Sequence, residues 1–136
     1  MTLIDELKGE TNESELIVRI ENTLKTLGIP KPPQNLFPCV YEYQYLCEAI
    51  LLAITDEQFK NKRLTKSIYT VIAKTYAKKC LATTQRVERG ITKEILVGWG
   101  YGDPDIWKSY FGYSILERSK GPTNFQFISA IASLCE

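Results

Sequence analysis

Apolar residues recur along this chain at helical rather than strand spacing. From Ser14, "SELIVRIENTLKTLG" sets Leu16, Ile17, Ile20, Leu24 and Leu27 on one face, and Gly28 followed by Pro30 ends the run. The proline-rich "PKPPQNLFP" (30–38) is a stiff connector, because prolines so dense do not fit a helix interior. In "PCVYEYQYLCEAILLAIT" (38–55), Tyr41, Tyr43 and Tyr45 alternate like a strand. Over the longer window Val40, Tyr43, Cys47, Ile50, Leu51 and Ile54 follow a helical period, which predicts a long buried helix with the tyrosines in its core and rim. A third helix is expected over 65–79, with Ile68, Ile72 and Tyr76 as its stripe. A fourth is expected from Thr84 to Val97, stopped by the glycines of "GWGYG". Asp103 and Pro104 suit the cap and first turn of a short fifth helix ending near Gly112. The sixth, capped by Thr123 or Asn124, carries Phe127, Ile128, Ile131 and Leu134. Trp99 and Trp107 are read as core aromatics beside the glycine turn. The expectation is an all-α, six-helix bundle-like domain over 13–136, preceded by a flexible polar arm at 1–12. Helices three and four, joined through "CLAT", outline a helix-turn-helix with a connection longer than the tightest turns.

The stretch "TTQRVERGITKEI" (83–95) carries unusually many polar groups around few aliphatics. At about 100° per residue, Val87, Ile91, Ile95 and Trp99 form one apolar stripe. Gln85, Arg89, Thr92, Lys93 and Arg86 gather on the opposite side, with Glu88 at the border. These side chains suit a nucleic-acid surface: Arg pairs with guanine, Gln with adenine, and Lys or Thr with phosphate. Glu88 has two readings, accepting from a cytosine amino group or holding Arg86 or Arg89. A merely solvated amphipathic helix fits the same pattern.

Charge sharpens this picture. The net charge is only +1, but residues 1–60 sum to −5, residues 61–100 to +7 and residues 101–136 to −1. The basic block contains the polar helix, as a phosphate-facing surface requires. Other chemistry finds little support. The chain has no histidine, so histidine-based nucleophilic triads cannot be built. Cys39, Cys47, Cys80 and Cys135 lack C-x-x-C spacing and read as free thiols in a reducing compartment, with no metal site. No Gly-rich phosphate loop or paired-carboxylate motif stands out, so no enzyme activity and no cofactor are expected. No apolar run is long enough for a membrane span, and the polar start is unlike a targeting signal, which predicts a cytoplasmic protein.

The segments "ENTLKTLGIP", "YLCEAI", "LTKSIYTVIAKTY", "RVERGI", "GW", "FGYS" and "GPTNFQFI" occur in an order that resembles one family. It is the C-terminal DNA-binding effector domain of the sporulation initiation response regulator, stage zero sporulation protein A. The resemblance covers about residues 14–135, and "RVER" with "PTN-x-x-F" downstream is its most specific part. It implies a six-helix domain whose fourth helix enters the major groove of promoter boxes, often as tandem pairs. Arg86, Glu88 and Arg89 are then the base-reading candidates. The resemblance also implies that "DPDIWKSYFGYS" meets RNA polymerase sigma factor and that helix 123–134 contacts a neighbouring copy. Thr92 departs from the family, which usually has a DNA-contacting arginine there. The 30–38 loop is longer, and a chain of 136 residues holds the effector without a receiver domain.

The sequence therefore predicts a DNA-binding transcriptional regulator of double-stranded DNA. Arg86, Glu88 and Arg89 read bases and Gln85 and Thr92 tune the reading, while Lys66, Lys78, Lys79, Thr83, Thr84 and Lys93 are phosphate candidates. The alternative is an interaction module that modulates a full-length regulator or polymerase without reading DNA.

Overall fold

The computed structural model describes residues 3–33, 41–56, 59, 65–112 and 121–136, with side-chain detail from 13 onward except at Thr65, Lys66 and Lys79. Every regular element among the described residues is a helix. They are α1 (Leu3–Thr26), α2 (Glu42–Thr55), α3 (Thr65–Cys80), α4 (Thr84–Tyr101), α5 (Pro104–Phe111) and α6 (Asn124–Cys135). Most of the 30–38 loop, together with Val40 and Cys39, lies outside the described residues, as does the part of the expected sigma-factor surface beyond Gly112.

The buried helix α2 lies between α4 and α6 and also meets α1 and α3. Its buried side chains are Tyr43, Tyr45, Leu46, Ala49, Ile50 and Ile54. Cys47 and Leu51, expected inside, are half-buried. Ile20, Leu24 and Leu27 of α1 join this core, along with Ile68, Ile72 and Tyr76 of α3 and Phe127, Ile128 and Ile131 of α6. Two expected core positions face outward: Ile17 and Leu134, the latter 54% exposed, with Cys135 buried in its stead. The three described thiols, Cys47, Cys80 and Cys135, are free.

Three boundaries differ from the sequence reading. The first helix begins at Leu3 rather than Ser14. The polar run before Ser14 contains no proline, so a helix nucleated on the packed turns can propagate through it one hydrogen bond at a time. The second difference is at the other end of α4, which continues through Gly98 and Gly100 to Tyr101. Gly98 is not a stop signal there but a point of close packing. A Cβ at Gly98 would lie 2.6 Å from Cγ1 of Ile29 and 2.9 Å from Cζ2 of Trp107. Thirdly, α3 runs through Cys80, leaving only residues 81–83 between α3 and α4. That is the short join of a helix-turn-helix. Leu81 makes the bend with φ +54°, a left-handed backbone unusual for a branched residue.

The end of α1 anchors the far end of α4. Gly28 has φ +85°, the Ile29 amide donates to the Leu24 carbonyl at 2.8 Å, and the Gly28 amide donates to Lys25 at 3.0 Å. This is a Schellman termination, completed by fully buried Leu24 and Ile29. Gly28 lies so close to Gly102 that a Cβ would meet its Cα at 2.8 Å. The indole Nε1 of buried Trp107 donates to the Leu27 carbonyl at 3.0 Å, tying α5 to the same corner. Trp99 packs edge-on against Trp107, with ring centroids 5.5 Å apart, and is half-buried.

Candidate nucleic-acid interface

Thr83 starts α4. Its side-chain oxygen accepts from the Arg86 amide at 3.2 Å, which leaves the hydroxyl hydrogen available to an outside acceptor. The helix N-terminus, with its unsatisfied N–H groups and positive dipole end, adds to the basic character of this corner. Thr84 follows half-buried in the first turn, and Lys78 is exposed on the last turn of α3. The side chains of Lys66 and Lys79 lie outside the described residues.

The expected amphipathic split is present. Val87, Gly90, Ile91, Ile95 and Gly98 form the buried face of α4, and Gln85, Arg86, Glu88, Arg89 and Lys93 are exposed. Gln85, Glu88, Arg89, Thr92, Lys93, Leu96, Val97 and Tyr101 border one shallow depression along the helix. Arg86, Arg89 and Lys93 also border a second one, on the side of Tyr41, Glu42 and Tyr45. Gly90 lets the start of α2 approach this closely, since a Cβ there would meet Glu42 Cγ at 2.9 Å.

The charged groups are only lightly restrained. One Arg86 Nη1 donor reaches the Leu81 carbonyl at 3.4 Å, leaving the rest of the guanidinium fork open. Lys93 lies 3.8 Å from half-buried Glu42, a long contact with exposed Lys93 that carries little energetic weight. Among the described residues Glu88 forms an ion pair with neither arginine; the pairs present are Lys93–Glu42 and Lys31–Glu21.

Thr92 departs from expectation. It is half-buried rather than on the outer face. Its hydroxyl donates to the Glu88 carbonyl at 2.9 Å and meets the Asn124 carboxamide, with Nδ2 at 3.0 Å and Oδ1 at 3.3 Å. Asn124 Nδ2 also lies 3.0 Å from the Tyr69 hydroxyl, so three helices converge on one amide. Burial pushes the Tyr69 phenol up, so that it stays a neutral hydrogen-bonding partner. Sequence reasoning missed this cluster because it assigned Asn124 only a possible capping role. Thr123 takes that role instead, in a capping box with Gln126. The polar side chain left over just inside the cap was the one available signal.

Beyond Lys93 the exposed side of α4 turns apolar. Leu96 is 47% and Tyr101 86% exposed, with Val97 between them. Among the described residues no cluster of His, Cys, Asp and Glu is arranged to hold a metal ion, and no helix is long and apolar enough to cross a membrane.

Residues 20–134 match the family described as sporulation initiation factor Spo0A, C terminal. The match runs from the first buried turn of α1 to the last turn of α6 and takes in the whole helix-turn-helix. This chain belongs to the family of Spo0A C-terminal domains.

Proposed function

We propose that the domain binds double-stranded DNA in a sequence-specific manner and regulates transcription, with α4 as the recognition helix in the major groove. One observation carries the reading. Gln85, Arg86, Glu88 and Arg89 are exposed together on the first two turns of a helix whose opposite side is packed into the core, directly after a three-residue turn. Arg86 and Arg89 present forks for guanine edges, Gln85 suits adenine, and Glu88 can accept from cytosine. Lys78, Lys93, the Thr83 hydroxyl and the α4 N-terminus supply the phosphate contacts. Thr84 is a lesser phosphate candidate, and Thr92 bears on the reading mainly through its inward bonds. Tandem binding of two copies and a sigma-factor contact through α5 follow from the family as parts of the same proposal.

The test is selection of bound sequences from a random duplex pool. Enrichment of one short motif is expected. Absence of enrichment at moderate salt favours the second reading, a module that docks on another regulator or on polymerase. The exposed Leu96, Val97 and Tyr101 are the observation on its side.

A further inference from the structure

We infer that Asn124 is a positioning residue for the reading of DNA: from the first turn of α6, its carboxamide fixes the roll of α4 about its own axis. The inference rests on the proposal that α4 reads bases. The shortest contacts favour one arrangement over the alternative in which the Thr92 hydroxyl donates to Asn124 Oδ1 at 3.3 Å. Thr92 has a single hydroxyl hydrogen, committed to the Glu88 carbonyl at 2.9 Å, so its oxygen accepts from Asn124 Nδ2 at 3.0 Å. The second amide hydrogen goes to the Tyr69 hydroxyl at 3.0 Å. The Glu88 carbonyl, 3.5 Å from the same nitrogen, closes the cluster. Asn124 is held in turn by the reciprocal bonds of the cap beside it, Thr123 N–H to Gln126 Oε1 at 2.9 Å and Gln126 N–H to Thr123 Oγ1 at 3.1 Å.

The buried face of α4, with Val87, Ile91 and Ile95 and the close approaches at Gly90 and Gly98, limits its roll, but hydrophobic contact has no direction, and the directional bonds of the cluster narrow the roll further. A roll of about 20° would move side-chain ends by roughly 2 Å at the 5–6 Å radius of a helix. That exceeds the misplacement of about 0.5 Å that a recognition constellation tolerates. The cluster grips α4 at Glu88 and Thr92, within one turn of Gln85, Arg86 and Arg89. It therefore acts where the roll matters for reading.

The test uses Asn124→Ala in the full chain, with Thr92→Val as a second route to the same cluster. Two measurements are made: backbone amide shifts of the free protein, and affinity for the motif selected by the parent protein against a scrambled duplex. Expected are displaced amide signals over Glu88–Lys93 and a roughly five- to tenfold loss on the motif, within the range of one misaligned base contact. Affinity for scrambled DNA and its salt slope should stay unchanged. The double variant should lose little more than either single one, as members of one cluster do. Equal loss on both duplexes would make Asn124 a structural or phosphate-contacting residue and overturn the inference. Unmoved α4 amides in free Asn124→Ala would overturn it as well. If the parent protein selects no motif, the DNA-reading proposal fails by itself. The free-protein shifts then decide only whether the cluster fixes the roll of α4: displaced amides support that, unmoved ones refute it, and the role in DNA reading falls with the proposal.

Discussion

Replacing Thr92 by arginine, the residue the sequence resemblance implies at this position, sets two effects against each other. Reading the sequence alone, with Thr92 outward, the change should leave stability untouched and tighten binding to a family-type box by about 1–2 kcal/mol, one good base contact. The structure alters both numbers. Thr92 is half-buried, and its hydroxyl bonds to Asn124 and the Glu88 carbonyl. Losing the interhelix bond costs about 1 kcal/mol, at the modest end because the freed amide can reach water. Arginine recovers a few tenths of a kcal/mol in helix propensity and about 0.3–0.5 kcal/mol from its spacing to Glu88. Proximity to Arg89 and Lys93 offsets part of that gain. The net expectation is a loss of about 0.3–0.7 kcal/mol, or roughly 1–3 °C in melting temperature for a chain of this size. On DNA the new contact is set against poorer alignment of α4, so the net gain on the box falls to below about 1 kcal/mol, with scrambled DNA bound somewhat more tightly too. Calorimetric melting and titration on both duplexes measure these quantities. A variant that melts at or above the parent temperature and gains the full base contact would refute the claim that Thr92 is held inward.

Three other expectations are independent of that position. Arg86→Ala and Arg89→Ala should each cost about 1–3 kcal/mol on the selected motif and relax preference at one base pair, while the parent log–log salt slope should be about −4 to −5 for 4–6 neutralised phosphates; equal loss on random DNA would make the residue a phosphate contact. Gly98→Ala should destabilise by about 1–2 kcal/mol despite better helix propensity, because buried Ile29 and Trp107 occupy the space of the new methyl; a raised unfolding midpoint in urea would contradict that packing. Burial, helped by Glu48 and neighbouring thiols, pushes the Tyr76 phenol from 10.0 up to about 12, and Tyr43, Tyr45 and Tyr69 also shift upward. The Tyr76 contribution to stability is then complete below pH 10 and lost as pH rises through about 12, so melting temperature should fall over that window as tyrosinate absorbance grows; a flat profile there would refute it.

Much of the fold was legible because helices announce themselves by period and punctuation. Gly28, Asp103 with Pro104, and Thr123 stand at the turns and caps that their chemistry suggests. The α4 stripe was legible for the same reason, and with it the exposed Gln85, Arg86, Glu88 and Arg89. What escaped depends on contacts between distant segments. Gly98 reads locally as a helix stop, and only the approach of Ile29, far back in the chain, turns it into a packing glycine. Thr92 reads as an outer-face residue on a helical wheel drawn for one helix. That wheel cannot reveal that the first turn of α6 covers it. Leu134 and Cys135 exchange burial for a similar reason, since the last turn of α6 faces α1, where Thr23 and Arg19 meet Cys135.

The shortness of the polar patch on α4 bears on how much information one domain can extract from a genome. With Thr92 turned inward and Leu96 beginning an apolar stretch, the outward polar side chains amount to Gln85, Arg86, Glu88, Arg89 and Lys93, about two helical turns. Side chains confined to that span discriminate on the order of four base pairs, a word that recurs by chance about once in 250 base pairs. If α4 reads DNA as proposed, a solitary copy is a poor address label. Its word becomes rare only when it is spelled twice at fixed spacing, or when a partner already bound nearby supplies the remaining letters.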